Sequence, residues 1–241
     1  MKFSISIVSH NSGKHLVKLF MDLSERFPPQ AEVILTINTP EDEFYLNSAV
    51  GFPLKIIRNL NPLGFGANHN QAFSFSSGHR FLVVNPDIRI HGDPWGELDK
   101  VFDLNFDVGA CVPRVISPTG AIEDSVRHFP TIGKLLKRVV LGIRHPDYIS
   151  INNLTPIVVD WAGGMFVMFD SASFRSVGGF DTSYFMYLED ADICRRLGVI
   201  GKKILWVPSC NVVHDAQRAS RKNWQHLCWH ARSMVRFIFK I

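Results

Sequence analysis

The chain has 241 residues, 46% of them hydrophobic and 20% charged, and a formal net charge of +4. This is enough chain for one large α/β domain or two small ones with a real core, and the composition excludes a disordered or fibrous protein. No apolar run reaches the roughly 18 residues of a spanning helix, and the short apolar start reads as a buried strand, not a leader, so a cytoplasmic protein is expected.

Apolar periodicity predicts a strand over Ser4 to Val8 and a helix over Lys14 to Phe27, closed by Pro28-Pro29. Strands follow over Ala31 to Ile37 and Leu54 to Ile57. Gly64-Phe65-Gly66 leads into a helix through Ala72 and Phe75. Phe81 to Val84 is a fourth strand, stopped by Asn85-Pro86-Asp87 because proline cannot continue a central strand. Trp95, Leu98, Val101 and Phe102 mark a further helix, and Val108 to Val112 the next strand. Helices alternating with strands that are apolar on both faces predict a mostly parallel sheet covered on both sides. Ligands of such sheets bind outside the carboxyl ends of the strands, where His10-Asn11-Ser12, Asn38 and Asp87 all fall.

The second half is less regular. A hairpin is expected over Val115 to Glu123 around Ser117-Pro118-Thr119-Gly120. Arg127 to Pro156 lacks a period and reads as a loop with one short helix at Ile132 to Val140. Val158 to Trp161 and Met165 to Phe169 are strands flanking Gly163-Gly164, and residues 189–199 form a helix with Arg195 and Arg196 outward. Two short strands follow, Ile204 to Val207 and Cys210 to Val213. On a last helix from Asn223 to Phe239, Trp224, Leu227, Cys228, Ala231, Val235 and Ile238 share a face, with Lys222, His226, Arg236 and Lys240 toward the other. Six Lys or Arg and no acid lie beyond Asp215, so the rest of the chain carries −2 and the positive charge belongs to the tail. Such a helix docks either on its own domain or on an anionic bilayer. Cys111, Cys194, Cys210 and Cys228 form no Cys-x-x-Cys pair and read as reduced thiols.

Two acidic sites stand out. Glu189-Asp190-Ala191-Asp192 packs three carboxylates into four residues, directly after the aromatic run Tyr184-Phe185-Met186-Tyr187. One or two acids would suit the dipole of a helix start. Three exceed that need, and acids crowded so closely raise one another's pKa, which suits a catalytic base. At the other site, the turn at Asn85-Pro86-Asp87 presents Asp87 at the sheet edge. One carboxylate suffices for Mg²⁺ if a diphosphate supplies further ligands. The paired glycines Gly163-Gly164, and Gly64-Phe65-Gly66-Ala67-Asn68, allow close approach of backbone to a ligand or a tight turn. His214, after the last strand, is either structural or a companion to Asp87 on a metal.

Together these segments resemble a family 2 glycosyltransferase of the GT-A fold, close to its rhamnosyltransferase-like branch. The resemblance runs through Ile5-Ser6-Ile7-Val8-Ser9-His10-Asn11, Asn61 to Asn70, Asn85-Pro86-Asp87, Trp161-Ala162-Gly163-Gly164, Val177-Gly178-Gly179-Phe180-Asp181 and Phe185 to Asp192, in that order. It implies one Rossmann-like, mostly parallel α/β sheet flanked by helices, with a small antiparallel acceptor-side region. Residues 1–113 would be the nucleotide-sugar-binding half, 114–215 the acceptor and catalytic half, and 216–241 a basic amphipathic C-terminal helix. It also implies an inverting, metal-dependent transfer from a nucleoside-diphosphate sugar, rhamnose among the sugars considered, to a glycan or polyprenyl-linked saccharide in cell-surface polysaccharide synthesis. Asp190 would be the base with Glu189 beside it, and Asp87 and His214 would hold Mg²⁺ or Mn²⁺. Ser9, His10, Asn11, Asn38, Gly66, Asn68, Asn85, Asp87, Gly163 and Gly164 would line the donor pocket. Arg127, Trp161, Tyr187 and Asp192 would meet the acceptor. One position departs from the family pattern. The aspartate expected at the end of the second strand is Ile37 here, so either Asn38 contacts the base or the base is held differently.

Ile37 also motivates a rival reading, a weak or silent sugar-nucleotide or glycan binder. A sugar-nucleotide pyrophosphorylase would need a lysine-bearing, glycine-rich triphosphate loop near the N-terminus, which the sequence lacks. Nucleic-acid binding is not expected, because tail charge comes without any recognised module.

Overall fold

The computed structural model describes residues 1–104, 107–131, 133, 147–148, 154–215 and 224–239. The helix expected at Ile132 to Val140 falls outside them except for Gly133, as do Arg218, Arg221, Lys222 and Lys240.

The first half builds as a parallel unit. Strands β1 (Phe3–Ser9), β2 (Ala31–Ile37), β3 (Leu54–Arg58) and β4 (Arg80–Val84) lie in the order β3-β2-β1-β4, all parallel. Helices α1 (Gly13–Arg26) and α2 (Phe65–Ser74) make the crossovers. The period-2 pattern sends Val33, Leu35 and Ile37 of β2 into one core and Ile34 into the other. Likewise Leu82 and Val84 of β4 face the α1 side, while Phe81 and Val83 face away from it. Both faces are therefore apolar, and every residue of β2 is buried.

Beyond β4 come β5 (Ile88–Arg89), α3 (Pro94–Leu104) and β6 (Val108–Ile116), then β7 (Val126–Arg127), β8 (Ile157–Val159), β9 (Trp161–Ala162) and β10 (Phe166–Asp170). Next are α4 (Ser171–Ser176), α5 (Glu189–Val199), β11 (Lys203–His214) and α6 (Trp224–Phe239). The sheet continues β4-β10-β6-β11-β5, with β8 also on β11, so strands from residues 1–113 and 114–215 alternate within it. The longest ladders, β1 on β2 and β6 on β11, are parallel, but β10 enters antiparallel between β4 and β6. β7 and β9 form the small separate antiparallel sheet. The hairpin forms, with Ser117 N–H on Ala121 O at 2.8 Å and a bridge between Ile116 and Ile122.

Three expectations change. The two last strands are one, β11, with a bulge between Val207 and Asn211 that accommodates Pro208. Arg195 and Arg196 are not outward. They are half-buried, and Arg196 donates to Val177 O at 2.5 Å and Gly179 O at 2.8 Å. Helix α6 is docked, but not by the face expected. Its inner side is His226, Trp229, Ser233 and Phe237, fixed by Ser233 Oγ on Met186 O at 2.9 Å and by Arg195 on Phe237 O at 3.0 Å. The stripe of Trp224, Leu227, Cys228, Ala231 and Val235 is the exposed side.

Candidate active site

The corner after β4 is held from below. Asn85 N–H donates to Met165 O at 2.9 Å, and Ile88 N–H returns to Asn85 O at 3.2 Å. Asp87 leaves this turn and its carboxylate lies 3.2 Å from His214 Nε2, at the end of β11. His214 Nδ1 lies 2.7 Å from Glu123 Oε2, delivered by the hairpin. Burial by itself would lower the His214 pKa, but hydrogen bonds that His214 donates to Asp87 and Glu123 outweigh it and raise the pKa to about 9. Asp87 Oδ1 is buried and has no hydrogen-bond partner among the described residues. A buried carboxylate oxygen left open beside an imidazole fits a hard cation that shares its ligands with a diphosphate. Among the described residues no three His, Cys, Asp or Glu side chains group as a protein-only metal cage. Glu123 was not singled out in the sequence, since only the folded hairpin brings it to His214.

The same short segment reaches the second acidic site. Gly163 to Met165 links β9 to β10, and Gly164 N–H donates to Asp190 Oδ2 at 3.1 Å. Asp190 Oδ1 accepts from Ala191 N–H at 2.8 Å. Neither glycine needs a positive φ. Close approach is what counts at Gly164, where a Cβ would sit 3.0 Å from the Phe65 ring. Before the helix, Tyr187 and Leu188 take left-handed φ values of 73° and 64°, a strained entry of the sort found at functional sites. Burial raises the Asp190 pKa to about 6, against the lowering effect of its two N–H donors and Arg127. Burial, then the adjacent Asp190, raises Glu189 to about 8, and its Oε2 is buried without a partner.

The residues expected to meet an acceptor divide. Arg127 ion-pairs with Asp124 at 2.9 Å and lies over the Trp161 ring, 5.4 Å from its centroid. Trp161 is buried, with its N–H on His128 O at 3.1 Å, so it is wall, not an open platform. Tyr187 Oη is 2.7 Å from His226 Nδ1 of α6. Asp192 is buried, with its oxygens on Arg195 at 3.0 Å and Arg196 at 2.6 Å, pairs that brace α5.

Of the residues expected to line a donor pocket, several support the loops. Asn38 is buried, bonded through Nδ2 to Leu63 O at 3.0 Å and through Oδ1 to Leu63 N–H at 2.8 Å. Asn68 donates to Leu63 O and Gly64 O, and accepts from Asn59 at 2.8 Å. These asparagines hold the loop before α2. Gly66 makes room for Phe180, whose Cβ would lie 2.6 Å from an added Cβ. Ser9 Oγ and Asn11 N–H both donate to Glu41, as does Tyr45 Oη at 2.7 Å. His10 is exposed, with Nδ1 3.4 Å from Asn38 Nδ2. Ile37 is buried, so the carboxylate in this region comes from Glu41, four residues later. No sequence signal marked Glu41, because its partners come from other elements.

No protein-family model matches the chain. It is 29% identical over 184 residues to the rhamnosyltransferase WbbL of Escherichia coli, covering 73% of this chain and 70% of that protein. It is 28% identical over 256 residues to the N-acetylglucosaminyl-diphospho-decaprenol L-rhamnosyltransferase of Mycobacterium tuberculosis, covering 96% and 82%. Among solved structures it superposes on GalNAc-T7 with UDP, GalNAc and Mn²⁺ with a TM-score of 0.73 at 17% identity, over 92% of this chain and 44% of that one. That likeness speaks to the fold, and the chain spans less than half of that protein's length. The chain is thus similar in sequence to two rhamnosyltransferases and in fold to a GT-A glycosyltransferase.

Proposed function

We propose that the protein is an inverting glycosyltransferase, moving a hexose such as rhamnose from a nucleoside-diphosphate sugar to a hydroxyl of a glycan or lipid-linked glycan. The rhamnosyltransferases it resembles support the sugar class, and the acceptor named for the mycobacterial relative supports a lipid-linked one. The observation that carries the reading is the segment from Gly163 to Met165. Its one end holds Asp190 through Gly164 N–H, and its other end holds Asn85 at the Asp87 corner through Met165 O. This shared tether supports reading Asp190 as base and Asp87 as the diphosphate-facing acid of one site.

In the reaction, Asp190 takes the proton of the acceptor hydroxyl. The oxygen bonds to the anomeric carbon from the side opposite the diphosphate, whose bond to that carbon breaks, so the configuration inverts. Gly164 and Ala191 N–H groups hold the carboxylate in place. Asp87 and His214 would hold a divalent cation, Mg²⁺ or Mn²⁺, whose chemistry when bound is to offset charge on the leaving diphosphate. The Mn²⁺ bound by GalNAc-T7 supports that assignment. A silent binder is not favoured, since a buried carboxylate with a raised pKa suits a working base. No helix among the described residues is long and apolar enough to cross a membrane, and we place the enzyme on the cytoplasmic side, meeting lipid-linked acceptors at the surface.

Asp190→Asn tests the reading. Asparagine keeps the size and one acceptor oxygen but cannot take the proton, so turnover should fall by about 10²–10⁴-fold. Donor affinity should be unchanged. Equal loss of donor affinity would make Asp190 a binding residue and remove it as the base.

A further inference from the structure

A groove that this mechanism leaves unused runs between α6 and the segment entering α5. It has a volume of about 280 Å³ and is lined by Ser183, Phe185, Trp229, Arg232, Ser233 and Arg236. One wall is aromatic, with the Phe185 and Trp229 rings 4.9 Å apart. The charge is one-sided. Arg232 is exposed and has no partner among the described residues, and α6 contains no acid. Arg236 meets one carboxylate, Asp181, at a loose 3.5 Å. Four residues apart, the two arginines share a helix face. They border the outward apolar stripe, in which Trp224 is 76% and Leu227 59% exposed.

The groove lies close to the candidate base. Phe185 O accepts from Phe65 N–H at 3.0 Å, and the Phe65 ring and Asp190 Cβ both approach the Cβ position of Gly164, at 3.0 and 3.9 Å. Phe185 is therefore linked to Asp190 through Phe65 and Gly164. Guanidinium pairs favour phosphate oxygens, and aromatic walls favour apolar chain or sugar faces.

Resting on the transferase reading, we propose that this groove binds the phosphate of an acceptor whose sugar is carried on a lipid phosphate. Arg232 and Arg236 take the phosphate oxygens, Phe185 and Trp229 flank the group, and the stripe from Trp224 to Val235 faces the lipid. The acceptor sugar is then led toward Asp190.

Farnesyl diphosphate, titrated below its micelle concentration with no donor present, is the probe, read by the fluorescence of the intact protein or by calorimetry. It should bind at least about tenfold more tightly than farnesol or inorganic pyrophosphate. Arg232→Ala, which removes an exposed side chain, should weaken it by about tenfold or more. Arg236→Ala should do the same, with donor nucleotide affinity unchanged in both variants. Unaltered farnesyl diphosphate affinity in both variants would overturn the site. Equal affinity for pyrophosphate would make it a free-phosphate site, and phosphatidylglycerol vesicles that displace the probe would make it a bilayer contact; either result overturns the acceptor assignment. If the enzyme glycosylates a soluble acceptor yet ignores farnesyl diphosphate, this site alone is lost. If farnesyl diphosphate binds but no sugar is ever transferred, the transferase reading is lost instead.

Discussion

Glu189 and Asp190 are neighbours with different fates. Burial lifts both, but Asp190 receives two N–H donors and the field of Arg127, whereas a Glu189 oxygen receives none. Of the pair, Glu189 therefore holds its proton to higher pH than Asp190. A base works only when deprotonated, so turnover should fall as pH drops through about 6, by about tenfold per unit below it, in a kcat profile. Glu189→Gln mimics the neutral form and should keep most turnover and the same acid limb. A large loss in that variant would make Glu189, not Asp190, the base. The crowding of three acids was legible in the sequence. Their separate roles were not, because donors from Gly164 and clamps from Arg195 and Arg196 arrive only on folding.

At the scale of elements, β2 was legible to the residue, yet it hides a charge. Glu32 is buried within an otherwise mostly apolar strand and gathers Ser4 of β1, Lys55 of β3 and Ser77 before β4. Burial alone would raise its pKa, but these partners outweigh it and bring it from 4.5 to about 2. A lowered carboxylate pKa stabilises the fold at pH above 4.5, and that stability is lost as pH falls toward 2. The shift corresponds to about 3 kcal/mol. Urea midpoints taken near neutrality and at acid pH should show the native chain losing that much more stability than Glu32→Gln. Parallel pH dependence of the two would refute the role. Helix α6 teaches the complementary lesson. Its helical period is legible in the sequence, but its apolar stripe points outward, because Ser233, His226 and Trp229 find specific partners in the segment Phe185 to Tyr187.

Over the whole molecule, strands from residues 1–113 and 114–215 share one sheet with a core on each face, so the residues at its strand ends are fixed relative to one another. A ligand that binds only this native arrangement stabilises all of it. A nucleotide sugar at about a hundred times its Kd should add about 2.7 kcal/mol, or about 5–10 °C in Tm for a chain of this size. Mn²⁺ or Mg²⁺ should be needed for the full shift, and a chelator should shrink it. A shift indifferent to chelator would remove Asp87 and His214 as cation ligands.

Strand and helix order, the Asn85-Pro86-Asp87 stop, the acid cluster at Glu189 and the basic tail follow from local pattern, because period, proline and charge density act over a few residues. Distant partnerships were settled only in three dimensions. The antiparallel β10 between β4 and β6 brings Gly164 to Asp190, the hairpin carries Glu123 to His214, and the loop after β2 carries Glu41 to Ser9. Each joins residues far apart in the chain, and nothing in the spacing of either partner encodes the other: the contact exists because a shared core fixes where both backbones run.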